Sequence, residues 1–266
     1  MSRNLKITLA YDGSEFHGWQ VQPDLPTVQG ILAECLGRIT GENVLPQGSG
    51  RTDAGVHALA QVASVRIESP IPELNLRVAL NDILPTAVRV LSVEAVADDF
   101  HARHSATAKT YRYRIYRGDV CPPFEARYVY HDPYKMDEDA MIRASEHIVG
   151  TFDFTSFAAS DPEKDARNGS ADADGSDSLS AKQGNIRTVN SSLWIRTADE
   201  FSYTIRGNGF LHHMVRNLVG TFLQVGKGSL TADDIPAILA AKARSAAGAT
   251  APACGLYLVS VEYGMP

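Results

Sequence analysis

The sequence has no long apolar run and few cysteines. No window of its 266 residues approaches the run of about eighteen apolar residues that marks a membrane-spanning helix. The first residues, MSRNLKITLAYDGS, lack the apolar core of a secretory signal. The cysteines are odd in number and far apart, at Cys35, Cys121 and Cys254. This usage predicts a reduced cytoplasmic protein that has no membrane partner, and it excludes a disulfide framework.

Motifs for phosphate, dinucleotide and metal binding are also missing. In GTFLQVGKGS, five residues instead of four separate Gly220 from the glycine–lysine pair, and Gly228 replaces the required Ser or Thr. GSG at 48–50 lacks the third glycine of a dinucleotide-binding turn. His212 and His213 are adjacent on a predicted helix and would point about 100° apart, so one metal ion could not use both. The sequence therefore predicts neither a metal nor an organic cofactor.

Acidic residues outnumber basic ones, but the two are unevenly distributed. The net charge is −6, which by itself disfavours a nucleic-acid partner. Residues 161–177 hold six acids and two basic residues, whereas residues 101–117 hold five Lys or Arg, two His and no acid. The second segment is typical of a local basic face that attracts phosphates, although it also fits the solvated side of an amphipathic strand.

The apolar periodicity predicts short strands and helices in mixed order. Alternation indicates strands at LKITLAY, QVASVRI, VRVLSVEAV, TYRYRIYR and GLYLVSVEY, and a hairpin at SLWIRTADEFSYTIRG. Helical spacing indicates helices at TVQGILAECLGRITG, at LNLRVALNDIL, from Asp137 to Gly150, at FLHHMVRNLVGTFLQVG, and from Thr231 or Asp233 onward. Thr27 is placed to cap the first helix and Gly41 to end it.

This mixture, with hairpins, predicts an α+β fold rather than a parallel βαβ array. We expect an N-terminal half, 1–106, and a C-terminal half, 107–266, as two related ferredoxin-like halves. They would share a largely antiparallel mixed sheet with helices on one face, and an active-site cleft would lie between them. The segment 160–185 has almost no large apolar residue and is predicted to be a flexible acidic loop.

The segment GSGRTDAGVHA carries a carboxylate among small residues. Gly50, Ala54 and Gly55 permit a sharp bend and a close approach to the backbone. Arg51 lies two residues before Asp53, so in an extended segment its guanidinium could sit beside the carboxylate and hold it ionised. The pattern fits a carboxylate placed for catalysis, and it also fits a structural turn with an ion pair.

The segment AKTYRYRIY alternates aromatic residues with cations. Aromatic faces stack on exposed bases, and Arg or Lys neutralises phosphate. Tyrosines that face the core of a sheet would give the same pattern. RGNGFLHHMVRN likewise combines a glycine-rich turn with Arg206 and Arg216 beside an apolar helix.

Six segments, in this order, resemble the tRNA pseudouridine synthase A family over nearly the whole chain. They are YDGSEFHGWQ, GRTDAGVHALAQV, DDFHARHSATAKTYRYRIY, FDFTSF, RGNGFLHHMVRNLVG and GLYLVSVEY. Several long motifs in order are far more specific than any single one. The resemblance implies isomerisation of uridine at positions 38, 39 and 40 in the anticodon stem and loop of tRNA, by a homodimer that needs no cofactor.

The resemblance also implies roles for individual residues. Asp53 corresponds to the catalytic aspartate, and Arg51 to the arginine that pairs with it and helps occupy the space of the flipped nucleotide. Tyr111 corresponds to the tyrosine against the target uracil, and Leu256 falls in the apolar motif near that base. Flipping a base leaves vacated contacts for such side chains to fill. The predicted contacts with the RNA backbone are Lys109, Arg112, Arg206 and Arg216.

Two other functions fit parts of the sequence. One is a non-catalytic tRNA-binding module of the same fold. The other is a hydrolase of small glycosides, which needs a second positioned carboxylate. Asp12 and Glu15 are the candidates for that carboxylate, and no pattern in the sequence supports either.

Overall fold

The computed structural model describes residues 2–159 and 184–264. The described residues form two compact units. The first unit takes those within Met1–Tyr116, Val120–His131 and Ala253–Pro266, and the second those within Arg117–Asp119 and Asp132–Pro252. The chain thus leaves the first unit and returns to it. The boundary predicted at residue 106 falls at the start of a strand of the first unit.

The first unit contains a mixed sheet. Its strands are β1 (Arg3–Tyr11), β2 (Gln47–Gly48), β3 (His57–Ile67), β4 (Val88–Val96), β5 (Ala106–Tyr116), β6 (Tyr130–His131) and β10 (Leu256–Tyr263). The order is β4-β1-β3-β10-β5, with β2 beside β3 and β6 beside β5. The β1–β3, β1–β4, β2–β3 and β5–β10 pairs are antiparallel, and the β3–β10 and β5–β6 pairs are parallel.

The core of the first unit follows the predicted alternation. Leu5, Ile7 and Leu9 are fully buried on one face of β1, where apolar burial stabilises the fold. Helices α1 (Val28–Thr40) and α2 (Glu73–Ile83) belong to the same unit. Thr27 caps α1 by accepting from the Gly30 amide, and Gly41 ends it at φ 76°. Both predicted helix signals are confirmed.

The second unit packs helices against a hairpin. Its strands are β7 (Gly150–Asp153), β8 (Ile186–Arg196) and β9 (Glu200–Gly207), paired antiparallel in the order β9-β8-β7. Its helices are α3 (Glu138–Glu146), α4 (Met214–Gly226) and α5 (Asp234–Ala241). The Trp194 ring lies 4.3 Å from that of Phe201 and 4.8 Å from that of Tyr203. Phe222 of α4 completes this aromatic core.

The largely antiparallel pairing and the mixed helices confirm the α+β class. Two helix predictions are wrong in detail. Helix α3 ends at Glu146, because Gly150 (φ 132°) already begins β7. Helix α4 begins at Met214, since His213 has a left-handed backbone (φ 58°). His212 and His213 therefore precede the helix, and their ring centroids lie 3.9 Å apart instead of diverging.

Among the helices of the described residues, none combines the length and apolar character that crossing a membrane requires. The acidic loop predicted at 160–185 lies, except for its last two residues, outside the described residues.

Candidate active site

Asp53 lies in the first unit on the loop 49–56, which connects β2 to β3 and is called here the Asp53 loop. The Val56 amide donates to the Asp53 carbonyl at 3.1 Å and closes a tight turn. Gly55, the third residue of that turn, has φ 77°, a conformation that favours glycine. The sharp bend predicted from the small residues is confirmed. Asp53 itself is half-buried.

Hydrogen bonds to backbone carbonyls hold this loop. The Ser49 carbonyl accepts from Lys109 Nζ at 2.5 Å, and the Gly50 carbonyl accepts from Gln61 Nε2 at 3.0 Å. The Thr52 carbonyl accepts from the Trp19 amide at 3.0 Å. With the turn at Asp53, four carbonyls on the loop have donors, and these come from separate parts of the first unit. The backbone that carries Asp53 is therefore fixed in place.

A buried polar network lies beneath the loop. Ser49 Oγ donates to Gln61 Oε1 at 2.7 Å, and the Tyr11 and Thr52 hydroxyls share a hydrogen bond of 2.8 Å. Gln61 Nε2 also lies 3.5 Å from the Tyr11 oxygen. All four side chains are buried. Burial raises the pKa of Tyr11 to about 12, so its hydroxyl stays protonated and can donate at neutral pH.

Glycines let a second segment touch the loop. Gly18 has φ 86°, and a Cβ built on it would lie 2.5 Å from the Thr52 carbonyl oxygen. A Cβ on Gly13 would lie 2.0 Å from the Val56 carbonyl oxygen. The YDGSEFHGWQ and GRTDAGV segments thus meet backbone to backbone, at distances that no larger residue permits.

Tyr111 lies on β5 and is buried. It pairs with Leu258 of β10, so both side chains occupy one face of the sheet. Burial raises the pKa of Tyr111, and electrostatic interactions with Tyr11 and Asp53 raise it further. The strand of Tyr111 is joined to the Asp53 loop through Lys109, which lies two residues before the tyrosine and donates to the Ser49 carbonyl. The raised pKa keeps Tyr111 neutral.

Leu256 is buried and pairs with Tyr113, two residues along β5 from Tyr111. Residues two apart on a strand share a face, so the tyrosines and Leu256 line the same side. A Cβ on the preceding Gly255 would lie 2.8 Å from the Tyr113 ring. The apolar residue predicted near the base therefore shares a face with Tyr111.

The predicted RNA-contacting cations occupy different places. Lys109 shares the face of Tyr111 and donates to the Ser49 carbonyl. Arg112 is exposed on the opposite face of β5, where it pairs with Tyr257. In the second unit, Arg206 lies on β9 and the Arg216 Nε on α4 donates to the Ala251 carbonyl at 2.8 Å. Arg51 is exposed on the Asp53 loop.

Asp12 and His57 form a second polar group in the first unit. Asp12 accepts from the Ser14 amide at 2.9 Å, from the Ser14 hydroxyl at 2.6 Å and from the Tyr128 hydroxyl at 3.0 Å. His57 Nδ1 accepts from the Gly13 amide and lies 3.2 Å from Asp12 Oδ1. The His57 ring stacks on Tyr257 at 4.8 Å. Asp12, His57 and Tyr128 are called here the Asp12 cluster.

Titration in the Asp12 cluster follows from these contacts. Partial burial raises the pKa of Asp12, but hydrogen bonds from Ser14 and Tyr128 outweigh it, so the net pKa lies below the ordinary value. Burial lowers the pKa of His57 despite the opposing charge of Asp12. These residues line a cavity of about 280 Å³, and neither Asp53 nor Tyr111 is among its lining residues. The cluster has the contacts of a structural polar group.

Sequence reasoning missed the supports of the Asp53 loop. Gln61 was the detectable one, because it begins the alternating buried row Gln61, Ala63, Val65 and Ile67, where a polar side chain needs a partner. The Lys109 contact has no local signal, since Ser49 lies 60 positions away along the chain.

Comparisons with known proteins agree on one family. A family model described as tRNA pseudouridine synthase matches residues 7–105 and 144–264. The tRNA pseudouridine synthase A of Solibacter usitatus is 52% identical over 98% of this chain and 100% of its own length. Those of Moorella thermoacetica and Caldicellulosiruptor saccharolyticus are 44% and 40% identical, over 97% and 98% of this chain and 99% and 100% of their own lengths. The predicted resemblance is confirmed, and the chain belongs to the tRNA pseudouridine synthase family.

Proposed function

We propose that Asp53 is the catalytic carboxylate of this enzyme and that its substrates are uridines in the anticodon stem and loop of tRNA. Membership of the family makes the chain an isomerase that converts uridine to pseudouridine in tRNA. The observation that carries the assignment of Asp53 is a loop that is fixed through its backbone and is joined by Lys109 to the strand of the buried Tyr111.

The reaction is a rearrangement without oxidation or reduction. The bond between uracil N1 and ribose C1′ breaks, the base turns, and C5 bonds to C1′. The proton on C5 leaves and N1 gains one, so atoms and electrons balance within the nucleotide. The chemistry needs a group that assists departure of the base, and a site that retains the base while it turns.

A fixed carboxylate can assist departure of the base. Asp53 can attack C1′ and form a sugar adduct, or it can remove a proton from the ribose. Both routes require the carboxylate to be held in one place relative to the sugar. The hydrogen bonds to the Ser49, Gly50 and Thr52 carbonyls provide that placement.

Tyr111 and Leu256 are suited to retain the base while it turns. We assign the Tyr111 ring to the wall against the target uracil and Leu256 to the adjoining apolar surface. Because the pKa of Tyr111 is raised, its hydroxyl stays neutral and adds no negative charge beside Asp53. Arg51 is exposed on the same loop, where it can pair with Asp53 and fill the space that the flipped nucleotide leaves.

The remaining assignments concern binding. We assign Arg112, Arg206 and Arg216 to contacts with the RNA backbone, each of which would contribute to the salt dependence of binding. We also propose that the enzyme acts as a homodimer in the cytoplasm. Each of these arginines is tested by the salt slope of tRNA binding, and the dimer by sedimentation of the purified protein.

The experiment that tests Asp53 is release of tritium from tRNA labelled at uracil C5. Wild-type protein should release tritium, and Asp53→Asn should be at least about 1,000-fold slower while tRNA affinity persists. Asp99→Asn, at an exposed position, is the matched control and should equal wild type. An active Asp53→Asn enzyme would refute the assignment. Wild-type protein that binds tRNA but releases no tritium would identify a non-catalytic binding module.

A further inference from the structure

We propose that Lys109 is a positioning residue for the Asp53 loop rather than a ligand of an RNA phosphate. The inference rests on the proposed function and adds a residue to it. Sequence alone placed Lys109 among the phosphate contacts, because it belongs to a basic aromatic strand. The structure directs its ammonium group into the protein.

The contact is short and lies at the first residue of the loop. Lys109 Nζ donates to the Ser49 carbonyl at 2.5 Å, and Ser49 is fully buried. A Cβ built on Gly50 would lie 2.9 Å from the same nitrogen, so the ammonium packs closely on the next residue as well. Hydrogen bonds from a charged donor are roughly twice as strong as neutral ones.

Lys109 lies on the same strand as Tyr111, and this position links its contact with the Asp53 loop to the tyrosine. Lys109 precedes Tyr111 by two residues, so both side chains lie on the same face of one strand. The strand that presents Tyr111 to the base therefore also holds the loop that presents Asp53. The hydrogen bond from Lys109 thus ties the strand of the tyrosine directly to the loop of the carboxylate.

Gln61 supports the same construction from a different strand. Its amide donates to the Gly50 carbonyl and its oxygen accepts from Ser49 Oγ and from the Val62 amide. Lys109 and Gln61 thus hold successive carbonyls, at Ser49 and Gly50. Removing Lys109 leaves Gln61 in place, so the loop should shift without the unit unfolding.

The two roles for Lys109 predict different kinetics. Loss of a phosphate contact weakens tRNA binding and lowers the salt slope, d log K/d log[salt], by about one. Loss of a positioning contact misplaces the carboxylate, and a displacement of about 1 Å can cost about 100-fold in rate. A positioning residue therefore affects kcat, while KM and the salt slope stay as they are.

The test compares Lys109→Met, Lys109→Arg and the control Lys6→Met, by tritium release and by tRNA binding across salt concentrations. Lys6 forms an ion pair with Glu94 at 3.0 Å in the same unit, so its loss removes the same charge elsewhere. Lys109→Met should lower kcat by about 100-fold, with KM within about threefold and an unchanged salt slope. Lys109→Arg, which keeps a charged donor, should restore kcat to within about tenfold of wild type. Lys6→Met should match wild type.

Other outcomes overturn the inference. An unchanged kcat in Lys109→Met, or a raised KM with a smaller salt slope, would return Lys109 to the phosphate contacts. If urea denaturation shows Lys109→Met to be unfolded, Lys109→Gln, which removes the charge but keeps a polar side chain, replaces it under the same limits on KM and salt slope, with a loss of kcat still expected. If wild-type protein releases no tritium, the proposed function is overturned instead. Wild-type activity is therefore measured before any variant is compared.

Discussion

Asp12 and the Asp53 loop lie in the same unit, and each is held by hydrogen bonds of a different kind. At Asp12 the contacts end on the carboxylate, which accepts from the Ser14 amide and hydroxyl and from Tyr128. At the Asp53 loop, the contacts from Lys109, Gln61 and Trp19 end on backbone carbonyls. The contacts at Asp12 fix the carboxylate itself, and those at the Asp53 loop fix the backbone that carries the carboxylate.

This difference fits the two roles we propose, structural for Asp12 and catalytic for Asp53. The donors around Asp12 stabilise its ionised form and occupy both of its carboxylate oxygens. A loop held through its main chain can keep its side chain in place for a reacting atom, as preorganisation requires. Asp12, one of the two candidates for the second carboxylate of a glycoside hydrolase, has the contacts of a structural group.

Among substitutions that leave Asp53 itself unchanged, the largest expected effect comes from breaking the backbone contact at Gly18. Gly18→Ala puts a Cβ 2.5 Å from the Thr52 carbonyl oxygen in a residue with φ 86°. The loop must move, so we expect kcat in tritium release to fall by about 100-fold or more. Urea denaturation should also show a loss of stability, since left-handed backbone costs about 1–2 kcal/mol in an alanine.

Gly41→Ala is the matched control for that substitution. Gly41 has φ 76°, but no atom lies within 4 Å of its added Cβ. It therefore shares the backbone strain of Gly18→Ala without the collision. We expect a loss of about 1–2 kcal/mol and an unchanged kcat. Equal effects of the two substitutions on kcat would show that the contact with Thr52 does not position Asp53.

Local patterns in the sequence predicted most of the fold and the main residues of the site. Alternation located β1 and β3, and the Thr27 and Gly41 signals located both ends of α1, because caps and faces are set by neighbours along the chain. The GRTDAG motif gave Asp53 and its bend for the same reason. The prediction that Asp53 and Tyr111 belong to one site came from the family resemblance, because no local pattern in the sequence links them.

The parts that sequence reasoning missed depend on distant contacts. A lysine in a basic strand looks the same whether it meets phosphate or, as Lys109 does, a carbonyl 60 positions away. The early end of α3 depends on Gly150 joining a strand that pairs with β8. His213 leaves the helical pattern because its backbone is left-handed, which apolar periodicity does not register.

The second prediction removes the charge of Asp12. Asp12→Asn should lower the free energy of unfolding by about 1–3 kcal/mol, because hydrogen bonds from Ser14 and Tyr128 lose their charged acceptor. Tritium release should stay within about threefold of wild type, since the contacts of the Asp53 loop are intact. Glu15→Gln is the control, as Glu15 is 76% exposed, and it should leave the urea midpoint unchanged. A large loss of kcat with normal stability in Asp12→Asn would contradict the structural assignment.

The smallest expected effect is the pH dependence contributed by His57. Its pKa in the folded state lies below the ordinary 6.5, chiefly because burial disfavours the imidazolium. The unfolded chain therefore binds the proton first, and the stability that His57 contributes is present above pH 6.5 and lost as pH falls through that value. The slope is at most about 1.4 kcal/mol per pH unit. Asp12, with its pKa below 3.8, loses its contribution only in stronger acid, so within the Asp12 cluster urea denaturation between pH 5 and 8 reports the histidine alone.

In this pH range, His57→Gln should flatten the wild-type curve of unfolding free energy against pH, whereas His104→Gln, at an exposed position, should leave it unchanged. A wild-type slope that persists in His57→Gln would place the titrating group outside the Asp12 cluster.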